Sequence, residues 1–309
     1  MIEPALLQVC PNDRPPFLDI CAVYQAAANI GRNLVTVFLS SASAEWEPKP
    51  LAGAVYLNFA TLRNTARVAA ALDAELTRVC SGAPAVELAI CHRYRAYRVF
   101  RASGWSASST LLMPNGIDVD RATANRFERA EALATLNLRA EHFNIGVVGR
   151  LHPKKQPQLA LSAMAALHQA LPDAHLVFIG DGELKTELQA SAESLPISFT
   201  GFVAEAVRHI NALDVLLIPS GEREAFSMVA LEAMAAGVPV VAGPTPGPHF
   251  VLGDVGHYFT EFTAEDLAAA VMAVHRDRES SAERRAHGVT HVQEEFSLAA
   301  VARLLQTLL

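Results

Sequence analysis

The 309 residues include only four cysteines, Cys10, Cys21, Cys80 and Cys91, and none beyond the first third. No two of them form a C-x-x-C pair. Zinc knuckles and a disulfide framework are therefore excluded, and reduced thiols inside a cell are expected. Long apolar runs are missing as well. No stretch reaches the ~18 consecutive apolar residues of a membrane-spanning helix. The start, MIEPALLQVC, lacks the basic residues and long apolar run of a secretion signal. The sequence thus predicts a cytoplasmic protein. Positive charge is in deficit: 25 Lys and Arg against 32 Asp and Glu leave −7, which argues against a nucleic-acid binder. The deficit is uneven. Residues 1–125 hold 11 basic against 10 acidic side chains, a net of +1, and the remainder holds 14 against 22, a net of −8. The more basic first part suits an anionic acceptor or is ordinary solvated surface. Glycine is absent from LLQVCPNDRPPF (6–17). That removes the G-x-G-x-x-G fingerprint a dinucleotide-dependent oxidoreductase would carry after its first strand.

What is present is an alternation of strand-length apolar runs and helical segments. LLQVC (6–10), LVTVFL (34–39), AVYLNF (54–59) and ELAICH (87–92) read as strands, with helices expected over 17–30 and 63–80. A second series holds FNIGVVG (143–149), HLVFIG (175–180), ISFTGF (197–202), DVLLIPS (214–220) and VPVVAG (238–243). Helical patterns at 156–171, 183–194, 204–213 and 226–237 fill the gaps. The runs are continuously apolar, as parallel strands covered on both faces require. The chain is read as α/β, a doubly wound parallel sheet built twice. Residues 1–122 form one domain, 123–295 a second, and a closing helix at 296–309 is expected to pack back on the first. RYRAYRVF (93–100) runs straight into RASGW (101–105), where another strand is expected, so the first domain reads as shortened.

Three stretches carry chemistry. In GEREAFSMVALEAMAAG (221–237), a polar turn ends the strand DVLLIPS and a helix follows, stopped by Gly237 and Pro239. Ligands of open α/β sheets bind at the carboxyl ends of strands. Glu224 falls there, beside the N–H groups of Ala225, Phe226, Ser227 and Met228 at a helix mouth. On a continuous helix Glu232, eight residues on, lies ~12 Å along the axis and ~80° around it. Both carboxylates can then address one elongated ligand, and paired hydroxyls of a ribose or hexose are suitable partners for an acceptor-only group. In GVVGRLHPKKQP (146–157), Gly149 admits a phosphate to the backbone, Arg150 offers a planar fork, and Lys155, with Lys154 as alternative, adds a second cation. In IGDGELKTEL (179–188), Gly180, Asp181 and Gly182 form a tight strand-to-helix turn. His92, at the end of its strand, either orients a ligand or is a satisfied structural histidine. Arg93, Arg95, Arg98 and Arg101 either meet phosphates of an acceptor or membrane surface, or form a solvated face.

The order GRL…KK, FIGDGEL, FTGF, DVLLIPS, Glu224-x7-Glu232 and EAMAAGVPVVA resembles the retaining GT-B glycosyltransferases of glycosyltransferase family 4, over about residues 110–262. MPNGID (113–118) looks like that family's strand before the linker. The resemblance implies two Rossmann-like domains facing across a cleft, with the second binding a UDP- or GDP-linked sugar. It implies that Gly149, Arg150 and Lys155 hold the diphosphate, with Gly180 nearby. Glu232 would take the ribose hydroxyls. Glu224 and the amides of Ala225, Phe226, Ser227 and Met228 would take the transferred hexose, with His92 a candidate for the catalytic region. The D-x-D of IDVD (117–120) follows MPNG directly, in the linker and away from the phosphate loop, and is given no metal. Arg150, Lys155 and helix dipoles can neutralise a leaving diphosphate without one, and no cofactor is expected. A glycan or lipid-linked acceptor of envelope polysaccharide or lipopolysaccharide synthesis is expected, with peripheral contact at the inner membrane face. A nucleotide-sugar-binding protein without transferase activity, and a sugar-nucleotide epimerase on the same fold, are the alternatives. The family's glycine-rich segment after VVA is replaced by GPTPGPHF (243–250), and its glycine pair in the first loop is absent.

Overall fold

The structure is a computed structural model. It describes strand residues 5–10, 34–38, 55–56, 86–91 and 110–112, and residues 114–308 apart from 125, 193, 222, 223 and 225. The helices expected over 17–30 and 63–80, and the arginines of 93–101, lie outside the described residues. Two compact units emerge: Met1–Gly116 with Leu298–Leu309, and Ile117–Ser297.

The first unit carries β1 (Ala5–Cys10), β2 (Leu34–Phe38), β3 (Val55–Tyr56), β4 (Val86–Cys91) and β5 (Thr110–Leu112). They form one parallel sheet in the order β3-β2-β1-β4-β5. The strand expected at MPNGID falls earlier, at Thr110–Leu112. Pro114, Asn115 and Gly116 are a buried connection instead, because proline cannot donate to a ladder.

In the second unit, helices α1 (Val119–Ala124) and α2 (Arg129–Thr135) lead to β6 (Phe143–Val148). Then come α3 (Pro157–Ala170), β7 (Ala174–Ile179), α4 (Lys185–Ser191) and β8 (Ile197–Gly201). A 3-10 turn over Ala206–Ala212 stands where a helix was expected. Next are β9 (Val215–Ile218), α5 (Met228–Ala235), β10 (Val240–Ala242), α6 (Pro246–Leu252) and β11 (His257–Tyr258). Helices α7 (Ala264–Arg276) and α8 (Arg278–His291) follow; α9 (Leu298–Leu308), which closes the described chain, belongs to the first unit. The strands run parallel in the order β11-β10-β9-β6-β7-β8.

Continuous apolarity has a direct cause here. Successive side chains of a strand point to opposite faces, and both faces are covered. From β9, Val215 and Leu217 pack with Ala160, Met164 and Leu167 of α3 and Leu267 and Val271 of α7. Leu216 and Ile218 pack with Ala230, Leu231 and Met234 of α5. All four strand residues are 0–3% exposed, and each contributes about 1.5–3 kcal/mol of burial. Asp214 ties the strand's amino end down. It accepts from Arg129 Nη2 and from the Asn144 N–H, each at 2.8 Å.

Candidate active site

Numbered within the second unit, the sheet order is 6-5-4-1-2-3, the doubly wound arrangement in which the chain reverses direction between β6 and β9. Ligands bind in the crevice outside the carboxyl ends at such a switch point. Two loops meet there: Gly149 to Gln156 after β6, and Pro219 to Ser227 after β9. Gly149, Arg150, Lys155, Pro157, Ser220 and Val229 line a shallow pocket between them.

The β6 loop is held from the side by the turn after β7. Leu151 N–H donates to Asp181 O at 2.9 Å, and Leu184 N–H donates back to Leu151 O at 3.2 Å. Gly180 makes this approach possible. At φ 142° its Cα faces the Gly149 carbonyl, and a Cβ there would sit 2.0 Å from Gly149 O. The G-R-L and G-D-G motifs are thus one interlocked unit. Among the described residues, no heavy atom beyond its chain neighbours lies within 4 Å of where a Cβ on Gly149 would be, leaving room for a ligand oxygen against the backbone.

Arg150 projects outward. Its Nη2 is 3.7 Å from Glu183 Oε2, with side-chain exposures of 69% and 51%, so this pair is weak and leaves the guanidinium open to an anion. His152 Nε2 stands 3.7 Å from the other Glu183 oxygen. Its Nδ1 accepts the Lys154 N–H at 3.1 Å and so caps the 3-10 turn Pro153–Lys155. Lys155 crosses the switch point. Its Nζ donates to Glu224 Oε2 at 2.5 Å, with Glu224 only 10% exposed. The two residues expected to serve different parts of a ligand are therefore a charge pair that bridges the loops.

Helix α5 begins later than the sequence suggested. Ser227 is extended, with φ −108° and ψ 100°, and is the N-cap, so the first helical residue is Met228. Phe226 and Ser227 are not helical, and Ala225 lies outside the described residues. Glu224 sits on the turn before the cap, where its N–H donates to Gly221 O at 3.0 Å. The helical arithmetic linking Glu224 to Glu232 accordingly fails, because the intervening chain is not one helix. Ser227 Oγ does not cap. It is buried and has no hydrogen-bond partner among the described residues. Glu232, in the second turn of α5, is half-buried, and its carboxyl has no partner among the described residues. Burial pushes its pKa up to about 7. His92 lies outside the described residues. Among the described residues, no group of three or more His, Cys, Asp and Glu is arranged to hold a metal ion.

Residues 142–277 match the glycosyl transferases group 1 family. The second unit carries a group 1 glycosyltransferase domain. Over 207 residues the chain is 31% identical to a GDP-mannose-dependent α-(1-6)-phosphatidylinositol dimannoside mannosyltransferase of Mycobacterium tuberculosis, covering 63% of this chain and 52% of that protein. A D-inositol 3-phosphate glycosyltransferase of Geodermatophilus obscurus is 33% identical over 187 residues, 55% of this chain and 41% of that one. The chain thus spans about half or less of the length of the curated relatives it matches. Anabaena HepE in complex with UDP-glucose superposes with a TM-score of 0.71 at 18% identity over 99% of both chains. WaaG, a glycosyltransferase involved in lipopolysaccharide biosynthesis, superposes at 0.68 and 15% identity over 98% of this chain and 99% of that one. These likenesses give the group 1 domain and its companion sheet the GT-B fold. No helix among the described residues is long and apolar enough to cross a membrane.

Sequence reasoning missed two features of this group 1 domain. One is the Lys155–Glu224 pair, which joins positions 69 residues apart and leaves no local signal. The other is the set of backbone bonds locking Leu151 to the β7 turn. The short tripeptides G-R-L and G-D-G hinted at close approach without naming the partner.

Proposed function

We propose that this protein is a retaining hexosyltransferase that uses a nucleotide-diphosphate sugar. Arg150 and Lys155 bind the diphosphate over Gly149, and the carboxylate of Glu232 accepts from the ribose hydroxyls. Glu224, with the amides of Phe226, Ser227 and Met228, orients the hexose. The bond from the anomeric carbon to the β-phosphate oxygen breaks, and its electron pair leaves with the nucleoside diphosphate. The developing charge is met by Arg150 and Lys155, which stand at the carboxyl end of the sheet. The acceptor hydroxyl bonds to the anomeric carbon on the same face, and its proton passes to the departing phosphate. No metal or other cofactor is needed for that neutralisation.

The observation that carries this reading is the placement of two cations and an accessible glycine backbone at the switch point of a 6-5-4-1-2-3 sheet. Glu232 adds a carboxylate without a protein partner among the described residues, which suits a hydroxyl-bearing ligand. UDP-glucose is the ligand seen in HepE, and GDP-mannose is named for the mycobacterial relative, so both base classes are reasonable donors. A glycan or lipid-linked acceptor of envelope synthesis, at the cytoplasmic face of a membrane, is the acceptor we assign by likeness to WaaG and the phosphatidylinositol mannosyltransferases.

The test is incubation with UDP-glucose and GDP-mannose, followed by proton NMR of the released sugar or product. Release of nucleoside diphosphate with α-configured product from an α-linked donor supports the reading. Release with inversion defeats the retaining mechanism. Rearrangement of the donor without release of diphosphate favours an epimerase.

A further inference from the structure

Gln156 has had no role so far, yet it holds the most constrained backbone position beside the site. Its φ of 46° and ψ of 48° are left-handed. Residues with a Cβ rarely take that region, and a residue preceding proline ordinarily takes an extended one. Among the described residues Asn137, Gln156 and Glu205 have positive φ without being glycine. Of these, only Gln156 stands at the switch point. A costly conformation kept next to a binding site points to a use for it.

Two contacts show what the conformation does. Lys155 directly precedes Gln156 and ends the 3-10 turn. Gln156 N–H donates to Pro153 O at 3.2 Å, and Pro157 then opens α3. The left-handed kink therefore sets the direction in which Lys155 leaves the turn. On its other side the Gln156 carboxamide lies against Gly221. A Cβ on Gly221 would come within 2.9 Å of Gln156 Nε2 and 3.4 Å of its Cδ. Gly221 is the residue whose carbonyl accepts the Glu224 N–H. One residue thus touches both loops: its backbone is joined to the lysine, and its side chain rests on the turn that carries the glutamate. The carboxamide makes no hydrogen bond among the described residues, so the contact works by packing.

We infer that Gln156 is a positioning residue that keeps Lys155 and Glu224 in register across the switch point, so that a diphosphate meets a preset cation. This rests on the proposed donor-binding role of Lys155. Glycine at position 156 relieves the left-handed strain and deletes the packing on Gly221 together. Stability and ligand affinity then move apart, which a general loss of structure cannot produce.

The experiment titrates UDP, GDP, UDP-glucose and GDP-mannose calorimetrically into the wild-type chain and into Gln156→Gly, Gly221→Ala, Lys155→Ala and the Gln156→Gly/Lys155→Ala double variant. Thermal melts accompany each titration. Gln156→Gly is expected to melt at or above the wild-type temperature and to bind about 5- to 10-fold more weakly, with the loss shrinking below about twofold once Lys155 is gone. Gly221→Ala, which pushes the carboxamide away with Gln156 intact, weakens binding in the same direction. Wild-type affinity in Gln156→Gly overturns the inference, and so does an equal loss with and without Lys155, whatever the melting temperatures. A Lys155→Ala variant that binds as the wild type does, or a wild type that binds none of the four probes, fails the donor-binding reading itself, and the inference falls with it.

Discussion

Replacing Glu232 with glutamine separates the stability of the second unit from its proposed binding function. Burial raises the Glu232 carboxyl from its usual 4.5 to about 7. The folded chain therefore binds a proton that the unfolded chain has already released between those two values. Stability from this group is greatest below pH ~4.5, falls as pH rises through 7, and levels off above it. Two and a half units correspond to about 3 kcal/mol, a ceiling because the side chain is partly exposed. Glutamine cannot ionise and escapes that loss. Glu232→Gln should match the wild type near pH 5 and melt higher at pH 8.5, by roughly 5–10 °C for a unit of this size. Affinity moves the other way. Exchanging a charge-assisted acceptor for a neutral amide costs about 1.5 kcal/mol, or roughly tenfold in the dissociation constant for a nucleoside diphosphate. Wild-type binding should also weaken as pH falls from 8 to 6, with proton release visible in buffers of different ionisation enthalpy. Scanning calorimetry from pH 5 to 8.5, with titrations at each pH, measures both effects. Parallel stability curves for the two proteins would refute the reasoning about burial, and unchanged nucleotide affinity would remove Glu232 from the site.

Other consequences are as direct. Gly180→Ala places a methyl 2.0 Å from Gly149 O and should cost about 3 kcal/mol or more of stability, read from the urea midpoint. Asp214→Ala frees Arg129 and the Asn144 N–H and should cost about 2 kcal/mol, seen as a lower melting temperature with nucleotide affinity intact. Lys155→Ala removes the cation from a largely buried Glu224 and should weaken nucleoside diphosphate binding by at least about tenfold in calorimetric titration.

The doubly wound architecture was legible because parallel strands buried on two faces leave unbroken apolar runs, as Val215 to Ile218 do. Where elements begin was less so. Ser227 and Phe226 carry good helical neighbours, yet Ser227 is extended and the helix starts only at Met228, which the local pattern does not signal. The 3-10 turn at Ala206–Ala212 likewise answers to packing against α2 and α5 rather than to its own pattern. Gln156 gave no signal at all. A left-handed glutamine before a proline runs against local preference, so a sequence scan passes over it. Glu224 was legible as a carboxylate at a strand end and not as the partner of Lys155, since side-chain reach across two loops depends on their spatial order.

The most direct check of the central claim is a crystal structure of the chain with UDP or GDP bound. The account predicts the diphosphate over Gly149 with oxygens within about 3.2 Å of Arg150 and Lys155 nitrogens, and ribose hydroxyls on the Glu232 carboxylate. A nucleotide bound away from the β6 and β9 loops, with those three side chains untouched, would contradict it.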